Sequence, residues 1–151
     1  MSLHKKLSCD TLSCKMGFTV KGIIRILEKK FSLRNIDLTI EQFFLLNILN
    51  SREGLILQDL SNILDRDKSA IARHVNGLED KLFVARETDP GDKRKKRLLI
   101  TKPGVQVLEE AKEMVRQANE EITCHISKED LQKFEAVLTS IYERIDSEKL
   151  C

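Results

Sequence analysis

The sequence predicts a mainly α-helical fold with one small β-hairpin, and three observations predict it. Apolar residues recur at helical spacing over most of the chain, as in Ile71, Val75, Leu78 and Leu82 at i, i+4, i+7 and i+11. Phe83 to Thr88 and Arg97 to Thr101 read as short β-prone runs, and Asp89-Pro90-Gly91-Asp92 lies between them. Pro and Gly at the second and third positions of such a turn fit type II geometry, because Pro fixes φ and Gly accepts φ > 0. Five consecutive cations, Lys93, Arg94, Lys95, Lys96 and Arg97, follow that turn although the chain's net charge is only +2. They repel one another and add nothing to a core, so they point to an anionic partner near the hairpin tip.

A chain of 151 residues, 41% hydrophobic and 33% charged, suits one compact domain with extensions for self-association. No apolar run reaches about 18 residues, so no membrane-spanning helix is expected. Residues 1–6 lack the apolar core of a signal peptide, which points to a cytoplasmic location. His4, His74 and His125 are not spaced with carboxylates or thiols as a metal site requires, and no Gly-rich phosphate loop is present. Neither an enzyme nor a metal or cofactor is expected. Cys9, Cys14, Cys124 and Cys151 form no C-x-x-C pair, and reduced thiols are the plain reading. The sharper alternative makes Cys9 or Cys14 a redox-sensing thiolate, activated by Lys5, Lys6 and Lys15.

Taken in order, residues 1–16 read as a flexible N-terminus. Val20, Ile23, Ile24, Leu27 and Phe31 then mark a helix from Phe18, which Asn35-Ile36-Asp37 breaks. Thr39 and Gln42 form a capping box for a helix that is apolar nearly all round, through Phe43, Phe44, Leu46, Ile48 and Leu49. Such a helix is central. Leu55-Ile56-Leu57 reads as a short strand able to join the hairpin, and Leu57, Leu60, Ile63 and Leu64 give a short helix ending at Asp65-Arg66. The start of that helix is open by a turn, because Ile56 sits where a capping residue is usual. Asp67 then caps the next helix at once. Two short helices so closely joined are a helix-turn-helix, and the basic hairpin behind them makes it winged.

On the second of these helices Lys68 begins the first turn, Ser69 and Arg73 lie nearly opposite the apolar stripe, and Ala70 and His74 flank them. Small groups and one guanidinium suit a helix lying in a DNA major groove, with Arg73 as the base reader. His74 reads equally as a contact to base or phosphate and as a plain surface residue. Lys93, Lys95, Lys96 and Arg97 are expected on phosphates. A charge run is commonly only a solvated face; here it lies on a turn just after a helix-turn-helix, and that joint occurrence decides for double-stranded DNA.

The residues also resemble a family. Asp92-x-Arg94 followed by Thr101-x-x-Gly104 looks like the wing signature of the MarR family of bacterial transcriptional regulators. Leu78-Glu79-Asp80-Lys81-Leu82-Phe83-Val84-Ala85-Arg86 resembles its L-E-x-x-G-L-[IV]-x-R passage. Leu82 stands where the family usually has Gly, and Lys95 where it usually has a small residue. The resemblance runs from about Phe18 to the C-terminus and implies that Arg94 enters the minor groove, with Asp92 expected to orient it. It also implies a small aromatic or phenolic effector bound between dimer helices and winged domain, with Met16, Phe31, Phe43 and Phe44 as nearby candidates, although such residues are more often core than pocket.

Beyond the hairpin, Thr101 caps a helix with Pro103 in its first turn and a seam of Val105, Leu108, Ala111, Val115, Ala118 and Ile122. Ser127 and Asp130 open a last helix bearing Leu131, Phe134, Leu138, Ile141, Tyr142 and Ile145. The expected organisation is a winged helix-turn-helix over residues 36–102, with N- and C-terminal dimerisation helices over 17–35 and 103–151. The excess apolar surface points to a two-fold homodimer rather than a bundle closed on itself, and hence to a pseudo-palindromic operator. Two alternatives stand beside it: a winged-helix module binding an acidic protein partner, and the same regulator controlled by cysteine oxidation.

Overall fold

The computed structural model describes residues 11–147, and among them are six helices and one two-stranded sheet. In chain order these are α1 (Leu12–Leu33), α2 (Ile40–Ser51), α3 (Leu57–Leu64), α4 (Lys68–Asp80), β1 (Val84–Thr88), β2 (Lys96–Ile100), α5 (Lys102–Thr123) and α6 (Lys128–Asp146). The chain divides into two compact units, one ending at Arg116 and the other beginning at Gln117, inside α5. Leu108, Ala111 and Met114, on the part of α5 in the first unit, are buried.

Helix α1 starts earlier than its periodicity indicates. Thr11 is the N-cap, its hydroxyl accepting from the Cys14 N–H at 3.4 Å, so residues 12–16 are helical rather than irregular. Its apolar stripe buries Leu27 and Phe31, and the Phe31 ring meets Phe43 of α2 edge-on at 6.0 Å. Phe31 and Phe43 are therefore core residues. Asn35 takes the left-handed conformation (φ 54°) and ends α1.

Helix α2 is central, as its all-round apolar character demands. The capping box is present: Thr39 accepts from Gln42 N–H at 3.1 Å, and Gln42 Oε1 accepts from Thr39 N–H at 3.2 Å. Ile40, Phe43, Leu45, Leu46 and Leu49 are buried, while Phe44 remains half exposed.

Leu55-Ile56 contributes one bridge, Ile56 to Arg97, with the Leu98 N–H donating to Leu55 O at 2.7 Å. This is less than the strand the sequence suggested, because Leu57 already belongs to α3. The open helix start is resolved by Asp59, whose carboxylate accepts from the Ile56 N–H at 2.9 Å and replaces the missing side-chain cap. The helix-turn-helix turn is fixed from inside: buried Ser61 donates to Arg66 O at 2.6 Å, and Asp65 at φ 46° reverses the chain.

Helix α4 buries Ile71, Val75 and Leu78 and leaves through Leu82 at φ 61°. The Leu82 N–H donates to Glu79 O at 2.8 Å and the Phe83 N–H to Leu78 O at 2.9 Å, a Schellman-type exit. Left-handed geometry costs an L-residue about 1–2 kcal/mol, and Leu82, 72% exposed, recovers little by burial. Leu82→Gly is accordingly expected to stabilise the protein by about 0.5–1 kcal/mol after the greater chain entropy of glycine is subtracted. A urea midpoint that rises with an unchanged m-value is the expected signature; an unchanged or lower midpoint would count against strain at this exit.

Strands β1 and β2 pair antiparallel, Val84 opposite Ile100 and Thr88 opposite Lys96, with Val84 and Leu98 buried. Thr101 joins three elements. Its N–H donates to Phe83 O at 3.0 Å, its hydroxyl to Leu82 O at 2.6 Å, and its Oγ1 accepts the Gly104 N–H at 3.1 Å as the cap of α5. Along α5 the buried row includes Leu108, Ala111, Met114 and Ala118, so Met114 replaces the predicted Val115, and Val105 and Ile122 are a little over one third exposed. Helix α6 is capped by Ser127, whose hydroxyl oxygen accepts from Asp130 N–H at 3.1 Å, and none of its described residues is buried. No helix among the described residues is long and apolar enough to cross a membrane.

Candidate nucleic-acid interface

The face of α4 opposite Ile71, Val75 and Leu78 carries the predicted residues outward. Lys68, Ser69 and Arg73 are exposed, and Ala70 and His74 are half-buried on its flank. Asp67 anchors the first turn, its carboxylate accepting from the Ser69 N–H at 3.0 Å and the Ala70 N–H at 3.3 Å. The Ser69 hydroxyl also donates to that carboxylate. A nearby anion in the same turn outcompetes solvent for that proton, and the Ser69 oxygen keeps its capacity to accept. The Ser69 hydroxyl, followed by the two backbone amides, holds the Asp67 carboxyl below its ordinary value.

The hairpin tip differs from a type II turn. Gly91 is not in the positive-φ region, which Gly54 alone of the described glycines occupies. The Asp89 carboxylate takes over instead, one oxygen accepting from the N–H groups of Gly91 at 2.7 Å and Asp92 at 2.9 Å. Its other oxygen meets Arg97 Nε at 2.5 Å. Asp92 repeats the device, accepting from the Arg94 N–H at 3.0 Å, while its carbonyl accepts from Lys95 N–H at 2.9 Å. Asp92 therefore orients the backbone that carries Arg94, through the main chain rather than the guanidinium.

The five cations separate into two groups. Lys96 Nζ donates to Thr88 Oγ1 at 2.6 Å across the strand pair, and Arg97 is held by Asp89. Both were expected on phosphates; Arg97 in particular is a structural cation at the base of the wing. Lys93, Arg94 and Lys95 are exposed at the tip. Arg86 was read only as part of a resemblance, yet it fixes the wing to α4: its guanidinium donates to Asn76 Oδ1 at 2.7 Å and pairs with Glu79 at 3.1 Å. Strand β1 and the outward face of α4 are thus held as one piece. The signal available for it was a cation on a strand following two polar residues on the helix's free side.

Arg97 first, then the Gly91 amide, hold the Asp89 carboxyl below its ordinary value. A depressed folded-state pKa stabilises above the unfolded value of about 3.9 and ceases to do so as pH falls through the folded value. The Gly91 and Asp92 amide resonances are thus expected to hold their positions from neutral pH down to about 4 and to shift only below it. A midpoint above that value would refute the assignment.

Cys14 is half-buried in the first turn of α1, and Cys9 lies outside the described residues. Exposed Cys124 belongs to no group of metal-ligating side chains among the described residues.

Two short helices locked by an internal turn, followed by a hairpin with a cationic tip pinned to the second helix, define a winged helix-turn-helix protein. Residues 38–96 match the MarR family. A putative transcriptional regulatory protein for the hcr operon of Thauera aromatica is 32% identical over 104 residues, 69% of this chain and 62% of that protein. The matched region thus spans less than two thirds of that relative. The Staphylococcus aureus MepR–DNA complex superposes with a TM-score of 0.78 at 22% identity, covering 88% of this chain and 97% of that one. CouR, a transcriptional repressor bound to a 23-mer DNA duplex, gives 0.81 at 19% identity, covering 88% and 93%. Over its helix-turn-helix and first wing strand the chain is thus similar to the MarR family.

Proposed function

We propose that the protein is a sequence-specific DNA-binding transcriptional regulator that grips a pseudo-palindromic operator as a homodimer. The observation that carries this reading is the Arg86 clamp, which makes the outward Arg73 face of α4 and the Lys93-Arg94-Lys95 tip parts of one rigid element. Arg73 is the base reader in the major groove and Arg94 the minor-groove arginine; Lys93 and Lys95 contact phosphates. DNA-bound relatives of the same fold support the partner. The dimer is supported by α6, where Phe134, Val137, Tyr142 and Ile145 are all more than half exposed although they lie at helical spacing.

The reading extends to effector response. A cleft of about 480 Å³ is lined by Arg34, Ile36, Glu109, Glu110, Glu113 and Met114. Ile36 and Met114 beside the Arg34 guanidinium suit a small aromatic or phenolic effector, with Glu109 and Glu113 paired to Lys112 and Arg116. Selection of bound duplexes from a random pool tests the function. A two-fold symmetric consensus with half-sites about 10 bp apart is expected; recovery of no consensus, or of a single unrepeated half-site, would overturn it.

A further inference from the structure

Lys81, the C-cap of α4, turns away from the outward face of that helix. Its Nζ donates to the main-chain oxygen of Asp37, 44 residues earlier, at 2.9 Å, and lies 2.8 Å from the Asp37 carboxylate. It also donates to Gln42 Oε1 at 3.2 Å. An ammonium has three donors, and these three acceptors account for them. Gln42 is 5% exposed, and the same Oε1 accepts from Thr39 N–H, so its carboxamide is fixed in place.

The opposite end of that carboxamide explains a glycine. Gly77 lies within α4, where glycine is unfavourable, and a Cβ there would stand 2.9 Å from Gln42 Nε2. The end of a free glutamine would simply swing aside; this one cannot do so without breaking its bonds to Thr39 and Lys81. Helix α4 therefore approaches α2 as closely as the Gln42 amide allows, and Lys81 holds it there.

We propose that Gln42, Gly77 and Lys81 form a positioning node that fixes the pitch of α4 against α2, and so determines operator discrimination without any of the three touching DNA. The node also ties α4 to the α1–α2 connection through Asp37. This inference rests on the regulator reading above.

The test compares the operator selected by the wild-type protein with a random duplex, for Lys81→Met, Gly77→Ala and the double variant. Lys81→Met keeps the aliphatic stem and is expected to weaken operator binding about tenfold, leaving random-duplex affinity and the salt slope unchanged. The double variant is expected to lose little more than the worse single one, because both break one node. Equal loss on both duplexes with a salt slope reduced by about 0.9 would make Lys81 a phosphate contact and overturn the node. A lower denaturation midpoint with an unchanged operator-to-random ratio would reduce it to a stability element and also overturn it. Should Lys81→Met fail to fold, Gly77→Ala, which alters no charge, decides in the same two assays. Wild-type protein with no operator preference would overturn the regulator reading and this inference with it, whereas a preference untouched by either substitution would overturn the inference alone.

Discussion

Gly104→Ala is expected to destabilise the protein by at least about 3 kcal/mol, at the upper end of what overpacking a well-packed site costs. A Cβ at this position would stand 2.1 Å from Phe83 O, 3.0 Å from the Phe83 carbonyl carbon and 2.9 Å from Ile100 Cγ1. Rotation of the Ile100 side chain would not relieve it, because the nearest atom is a backbone carbonyl oxygen. That backbone is itself held: Phe83 O accepts from the Thr101 N–H, and the Phe83 N–H closes the end of α4 on Leu78 O. The chain would have to lift the first turn of α5 off the hairpin or unwind the exit of α4. Chemical denaturation measures the loss directly, and a variant within about 1 kcal/mol of wild type would show that this junction yields far more readily than its distances indicate.

The same junction shows what the sequence makes legible and what it hides. Thr101-x-x-Gly104 and the passage from Leu78 to Arg86 stand out as separate motifs, yet in the folded chain they are two halves of one contact, since Thr101 docks on Leu82 and Phe83 and Gly104 on Phe83. Periodicity revealed α2, α4 and the order of elements, because those patterns are local. Partners distant in sequence stayed invisible. Gln42 reads as half of a capping box, and nothing near it announces Lys81 or Gly77.

Local competition between acceptors caused the other departures. Pro90-Gly91 suggests a type II turn, but the Asp89 carboxylate offers oxygens to two following amides and to Arg97, and that satisfies the tip with Gly91 outside the positive-φ region. Ser69 likewise reads as a free hydroxyl on an outward face until the Asp67 carboxylate two residues earlier is seen to take its proton. In both cases an aspartate reorganises its own neighbourhood; of the candidate DNA-facing cations Arg97 is captured by one, while Lys68, Arg73, Lys93, Arg94, Lys95 and Lys96 are exposed.

Among those, Arg73→Ala is expected to have the largest effect on recognition. It is exposed on α4, on the side away from Ile71, Val75 and Leu78, and its removal disturbs no core contact. Loss of a bidentate guanine contact costs about 1–3 kcal/mol, or roughly 5- to 150-fold in operator affinity, and relaxes base preference at one position of each half-site. Random-duplex affinity should fall far less. Arg73→Lys separates charge from geometry: it keeps the positive charge but not the planar fork, so it should restore random binding while base preference stays relaxed. Lys93→Ala provides the contrasting behaviour, weakening all duplexes alike and lowering the salt slope by about 0.9. If Arg73→Ala instead reduced operator and random binding in equal proportion, Arg73 would be one more phosphate contact, and the base reading would have to pass to His74 or Lys68 on the same helix.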